Sequence, residues 1–276
     1  MTLGLVGEWE VPHVGVTVVG PDGVLDRHGD VERPFRIASV TKLLTAYAVL
    51  IATEEGALAL DEPAGPPGAS VRHLLSHTAG YGFGAGAPVI ARPGTRRIYS
   101  NRGFDVLAAH LERSTGITFT TYLTEAVLDP LGMTATTLAG SAAFDTVSTV
   151  ADLGRFAAEL LTPRLVARRT ADELVTVQFP GLGGILPGVG RFDPLDWGLG
   201  VERNFGRRGH WAGPALSRDA FGHFGAAGTL LWVDPRARLA CVCLTDRDFG
   251  PWALAAWPGL GEQVLGRYGR DVATVA

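Results

Sequence analysis

Lysine is almost absent from this 276-residue chain: of its 24 basic residues, 23 are arginine, and the one lysine is Lys42. Arginine keeps its proton in any ordinary setting, whereas a buried lysine can lose it and serve as a base. Cysteine is equally scarce, with only Cys241 and Cys243. They lie two apart in a strand-like run, where alternation points both to one face; no bridge between them is expected, and both read as buried thiols. Neither sign of charge dominates. With 24 basic against 28 acidic residues and a net charge of -4, there is no global electrostatic case for a nucleic-acid partner or an anionic membrane. No apolar stretch approaches the roughly 20 residues of a membrane helix, the longest lying near 43–52. The opening MTLGLVGEWE carries Glu8 and Glu10 and no basic segment ahead of an apolar one, so a secretory leader is not expected and the location is expected to be cytoplasmic. A G-x-S-x-G elbow, a dinucleotide fingerprint in strand-helix context and internal repeats are all missing.

What is present is a core. Hydrophobic residues make up 46% of the chain and charged residues 19%, the composition of a packed globule large enough for one domain or two lobes around a cleft. Val14–Val19 and Val24–His28 read as strands joined by the turn Pro21-Asp22-Gly23. Ser39 to Glu55 reads as a helix apolar on nearly every side, hence central, stopped by Gly56. The middle of the chain mixes short helices with loops. Asn101 is placed as the cap of a helix running to about Arg113, further helices are expected over 119–128 and 151–161, and 80–94 reads as a surface loop. Strand signals return over 221–233 and 238–245, followed by a helix over 251–268. Strands at both ends with helices between imply an α+β fold: an antiparallel sheet built from both chain termini and flanked by helices, with an inserted mainly helical lobe. The division expected is 1–60 plus 205–276 for the α/β lobe and 61–204 for the helical lobe, with the site in the cleft between them.

Three clusters carry chemistry. Ser39 and Lys42 stand at i and i+3 on one helix face, where an amine can reach a hydroxyl. Burial of that amine among apolar neighbours predicts a depressed pKa. Ser39 at a helix start lies near unpaired N–H groups, or else acts only as an N-cap. Tyr99-Ser100-Asn101 adds a phenol whose pKa a nearby cation can lower, and an amide that can both donate and accept. His223 falls in a glycine-rich strand, Phe221-Gly222-His223-Phe224-Gly225-Ala226, whose glycines mark a bulge or a close backbone approach and whose Ala226 N–H could serve as an oxyanion donor. His73 and His77 have i, i+4 spacing, but no Glu follows His73 and no third ligand is evident, so no metal site is expected. Trp197 reads equally as core or pocket wall.

In order along the chain, IASVTKLLTA (37–46), LLSHTAGY (74–81), YSN (99–101), DPLGM (129–133), STVADLGRF (148–156), WGLG (197–200) and GHFGAAG (222–228) resemble the serine β-lactamase and penicillin-binding-protein superfamily, in particular its class C-like branch of β-lactamases, D-amino-acid peptidases and esterases. The resemblance implies acylation of Ser39, proton shuttling by Lys42 and Tyr99 with Tyr99 activating the deacylating water, an oxyanion hole from the N–H groups of Ser39 and Ala226 beside Gly225, and substrate contact by Asn101. His223 takes the place of the lysine in the family's KTG motif. That departure favours esterase or peptidase chemistry over efficient β-lactam hydrolysis, and a histidine there is expected to titrate near neutral pH. Segments 80–94 and 180–215 are short for the family and leave the substrate pocket undefined. The expectation is a cofactor-independent serine hydrolase of a small-molecule ester or amide, esterase-like. The alternatives are a D-amino-acid peptidase, a weak β-lactamase, or a catalytically idle ligand- or penicillin-binding module. The oligomeric state stays open.

Overall fold

The computed structural model describes residues 3–204, 206 and 209–269. Of the lobe expected over 205–276, residues 205, 207, 208 and 270–276 lie outside the described residues. The N-terminal hairpin is β1 (Val14–Gly20) and β2 (Gly23–His28), followed by β3 (Phe35–Arg36). A 3-10 turn over Ala38–Val40 then leads into α1 (Thr41–Glu54). The central stretch carries α2 (Val71–Leu75), β4 (Arg97–Ile98), α3 (Asn101–Thr115) and α4 (Phe119–Leu123), the last continued by a π-helical turn over Thr124–Leu128. It goes on through β5 (Thr137–Leu138), β6 (Thr146–Ser148), α5 (Val150–Leu161) and α6 (Arg168–Val175). β7 (Gly184–Leu186), β8 (Gly190–Phe192) and β9 (Glu202–Arg203) precede β10 (Phe221–Gly225), β11 (Thr229–Asp234), β12 (Leu239–Thr245) and α7 (Pro251–Tyr268).

The main sheet runs β2-β1-β12-β11-β10-β9, every pairing antiparallel, so the two ends of the chain meet at β1 and β12. Their register sets Val16 opposite Cys243 and Val18 opposite Cys241. Strand alternation sends these four to one face, where they pack with Trp257, Leu260 and Val264 of α7. Val19, Ala240, Val242 and Leu244 face the other way, into the core shared with α1 and α5. Both cysteines are free and buried. α5 lies close on β1 because two glycines make room: a Cβ on Gly15 would sit 2.7 Å from Val150 Cγ2, and one on Gly154 3.0 Å from Thr17 Cγ2. α1 is buried from Thr41 to Ala52, and each large apolar side chain it buries contributes about 1.5–3 kcal/mol. Lys42 lies within that buried stretch.

Two expectations need correction. The run 221–233 is not one strand: it breaks at residues 226–228, where Gly228 takes a φ of 72° and its N–H donates to the Gly225 carbonyl at 3.0 Å. A Cβ on Gly228 would come within 2.0 Å of the Arg247 carbonyl, so glycine is required for the hairpin. The cap of α3 is Ser100 rather than Asn101; its Oγ accepts from Gly103 N–H at 3.1 Å and donates to the Gly82 carbonyl at 2.7 Å. Asn101 is thereby released for another use. Two small sheets, β3-β6-β5 and β4-β7-β8, brace the helical stretch. Among the described residues no helix is long and apolar enough to cross a membrane.

Candidate active site

Ser39 is not a helix cap. It lies in the 3-10 turn, α1 is capped without a side-chain bond, and the preceding Ala38 holds a left-handed φ of 47°. A non-glycine residue there costs of order 1–3 kcal/mol and persists only where surrounding structure enforces it. β10 does the enforcing: a Cβ on Gly225 would lie 2.4 Å from the Ile37 carbonyl and 3.0 Å from Ala38 Cβ, and Thr229 Oγ1 donates to the same Ile37 carbonyl at 2.8 Å. Gly225 is thus pressed against the turn that carries Ser39, and the next residue, Ala226, is exposed.

Lys42 is fully buried. Its Nζ lies 3.2 Å from Ser39 Oγ, 2.7 Å from Asn101 Oδ1 and 2.9 Å from the Ala143 carbonyl. It also sits 4.8 Å from the centre of the Tyr99 ring and 5.5 Å from that of Phe104. Three acceptors and two rings suit an ammonium, but burial pulls the pKa well below its ordinary value, with only Asp105 opposing. Asp105 is itself engaged by Ser141 Oγ, and no carboxylate forms an ion pair with Lys42 among the described residues. Desolvation therefore decides the balance. The neutral amine fits the same contacts: two N–H groups for Asn101 Oδ1 and the Ala143 carbonyl, and a lone pair for the Ser39 O–H.

Tyr99 and His223 depart from their expected titration. Burial pushes the Tyr99 phenol up, outweighing its hydrogen bonding with Ser39; a nearby amine that is itself neutral supplies no cation to lower it. His223 is buried, and desolvation is the main cause that lowers its pKa to about 3. It is a neutral imidazole rather than a group titrating near pH 7. Its Nδ1 lies 2.6 Å from the Phe224 carbonyl and so carries the proton, leaving the Nε2 lone pair toward the Tyr99 hydroxyl at 3.4 Å.

Two further residues, His77 and Trp197, complete the surroundings. His77 does not share a helix face with His73, because α2 ends at Leu75 and His77 takes a φ of 59°. Its Nδ1 accepts from Ser100 N–H at 3.1 Å, its carbonyl accepts from Ile98 N–H at 2.8 Å, and its ring stacks on Tyr99 at 4.5 Å. His73 instead helps to cap α2 through Ser70. Trp197 is buried against His77, Tyr99 and His223 at ring separations of 4.6, 5.8 and 5.3 Å. The LLSHTAGY and WGLG segments are the available signals for both. Among the described residues no group of three or more His, Cys, Asp or Glu is arranged to hold a metal ion.

Beside Tyr99 a cavity of about 650 Å³ opens, walled by the 80–94 loop through Phe83 and Ile90 and by β4, β7 and β8. Both segments that left the pocket undefined in the sequence contribute to its lining, together with residues 95–99.

The beta-lactamase family model matches residues 10–264, and the chain belongs to that family, within the serine β-lactamase and penicillin-binding-protein superfamily of hydrolases. The crystal structure of a beta-lactamase from Mycobacterium bovis is 52% identical, covers 98% of this chain and all of its own, and superposes with a TM-score of 0.96. Esterase EstB of Burkholderia gladioli is 30% identical over 42% of this chain and 46% of its own length. The D-alanyl-D-alanine-carboxypeptidase/endopeptidase AmpH of Escherichia coli strain K12 is 31% identical over 37% of this chain and 36% of its own. The match thus spans less than half the length of either curated relative.

Proposed function

We propose that this protein is a serine hydrolase that cleaves a small ester or amide through an acyl-enzyme on Ser39, with ester hydrolysis preferred. The observation that carries the reading is the buried Nζ of Lys42, 3.2 Å from Ser39 Oγ and held below its ordinary pKa by burial. In this reading the Nζ lone pair takes the Ser39 proton as Oγ attacks the carbonyl carbon. The tetrahedral oxyanion is held by the N–H groups of Ser39 and Ala226. Collapse breaks the bond to the leaving group, which takes a proton that Lys42 returns through the Tyr99 hydroxyl. Water then attacks the acyl carbon, giving up its proton along the same path, and Ser39 departs reprotonated. Because Tyr99 remains a phenol, it gives one proton as it takes another, with His223 Nε2 orienting it. Asn101 keeps its Oδ1 on Lys42 and turns its NH₂ group to the substrate.

A second reading, β-lactam hydrolysis, is favoured by the name of the 52% identical relative; D-amino-acid peptidase activity is favoured by AmpH. Against the first stands neutral His223, which offers no cation beside Ser39 for a substrate carboxylate. Turnover of a short-chain aryl ester, a chromogenic cephalosporin and a D-alanyl peptide, each with Ser39→Ala as control, decides among them. Rapid, Ser39-dependent ester turnover without cephalosporin turnover is expected; faster cephalosporin or peptide turnover contradicts the ester preference.

A further inference from the structure

The cavity beside Tyr99 has a charge pattern that the reaction at Ser39 does not use. β4 pairs with β7 and β7 with β8 so that Ile98, Ile185 and Arg191 are successive cross-strand partners. Such partners project from one face of a sheet. Arg96 lies just ahead of β4, and all four line the cavity. The apolar part of this lining is unusually open to water: Ile185 is 61% exposed, Ile90 61% and Phe83 52%. Neither Arg96 nor Arg191 has an ion-pair partner among the described residues, and the cavity's one carboxylate is Asp193. Arg97 lines the cavity as well, but its buried guanidinium is spent on the carbonyls of Ser76, Gln178 and Phe179; with Arg96 and Arg191 against Asp193, the lining carries an excess of positive charge that suits an anion such as a carboxylate.

We propose that the substrate carries an apolar arm ending in a carboxylate, the arm running past Tyr99 along Ile98 and Ile185 and the carboxylate held by Arg96 and Arg191. This rests on the reading of Ser39 as nucleophile. The reacting centre supports it by contrast: Lys42 is engaged with Ser39 and His223 is neutral, so recognition of an anion falls to the far end of the cavity. From Ile98 to Arg191 is two strand spacings, about 10 Å, the reach of a chain of roughly six to eight carbons.

The test uses two esters of equal chain length, monomethyl suberate and methyl octanoate. Their binding to the Ser39→Ala protein is measured by calorimetry, and their hydrolysis by the unaltered protein in a pH-stat. The monoester is expected to bind about tenfold tighter, as a charge-assisted contact at a partly exposed site supports, and to lose that advantage in added salt. Adding Arg96→Gln and Arg191→Gln to the Ser39→Ala protein, with folding checked by circular dichroism, is expected to bring the affinity ratio near one. Equal binding of the two esters, or a ratio that survives loss of both arginines, overturns the pocket assignment while ester turnover leaves the hydrolytic reading intact. Preference for the monoester without turnover of either ester supports the pocket and removes the hydrolytic reading.

Discussion

Replacing Lys42 by methionine removes the amine while keeping most of the side chain's volume. The change in stability at any one pH mixes two effects. Ser39 Oγ, Asn101 Oδ1 and the Ala143 carbonyl lose a partner, at about 1–3 kcal/mol for each buried group left unpaired; against this, the cost of burying an amine disappears. The dependence on pH separates them. In the unfolded chain Lys42 titrates at its ordinary 10.5, and in the fold well below it. Between those two values the unfolded state binds more protons, so the stability of the unaltered protein rises with pH, by up to about 1.4 kcal/mol per unit. For each pH unit inside that interval it should gain up to about 1.4 kcal/mol relative to Lys42→Met. With a denaturant slope of about 3 kcal/mol/M, that is a relative shift of up to about 0.5 M in the urea midpoint per unit. Cys241 and Cys243, whose thiols burial pushes up, act on the alkaline side in both proteins alike and cancel. Parallel midpoint curves across this window would show Lys42 to be an ammonium in the folded protein and would refute its assignment as the base.

Gly225→Ala should move β10 off the Ile37–Ala38 turn, since its Cβ would start 2.4 Å from both the Ile37 carbonyl and Thr229 Oγ1; a loss of about 1–3 kcal/mol in urea unfolding, together with at least a hundredfold fall in acylation rate, is expected, and unchanged acylation would dissociate Gly225 from the oxyanion site. For His223, nitrogen NMR should find Nε2 unprotonated down to about pH 5; because its folded pKa of about 3 lies below the ordinary 6.5, it contributes stability that is present above 6.5 and is lost as the pH falls, and a titration midpoint near neutrality would contradict its neutral role. Ser100→Ala removes the α3 cap and should lower stability by about 1 kcal/mol, read from the thermal midpoint, with no effect counting against the capping geometry.

Much of this arrangement was legible from residue types alone. The apolar ring around Lys42 marked α1 as central, and the Pro21-Asp22-Gly23 turn located the first hairpin. Local pattern failed where long-range contacts decide. A glycine-rich run such as 221–228 reads equally as strand or turn until Arg247 comes close to Gly228. Ser100 and Asn101 are both good caps, and only the reach of Asn101 Oδ1 to Lys42, 59 positions away, separates them. The pairing of Arg97–Ile98 with Gly184–Ile185 joins strands too short to carry an alternation signal. The titration of Tyr99 and His223 was misjudged for a related reason: residue identity supplies an ordinary pKa, while burial supplies the shift.

The central claim is that Ser39 is the nucleophile and Lys42 its activating base. Incubation with a fluorophosphonate, followed by intact mass and peptide mapping, tests it directly. One adduct located on Ser39, abolished in Ser39→Ala and in a folded Lys42→Arg protein, is the predicted result, because arginine at that position cannot give up its proton. An adduct elsewhere, or Lys42→Arg labelling at the unaltered rate, would contradict the claim.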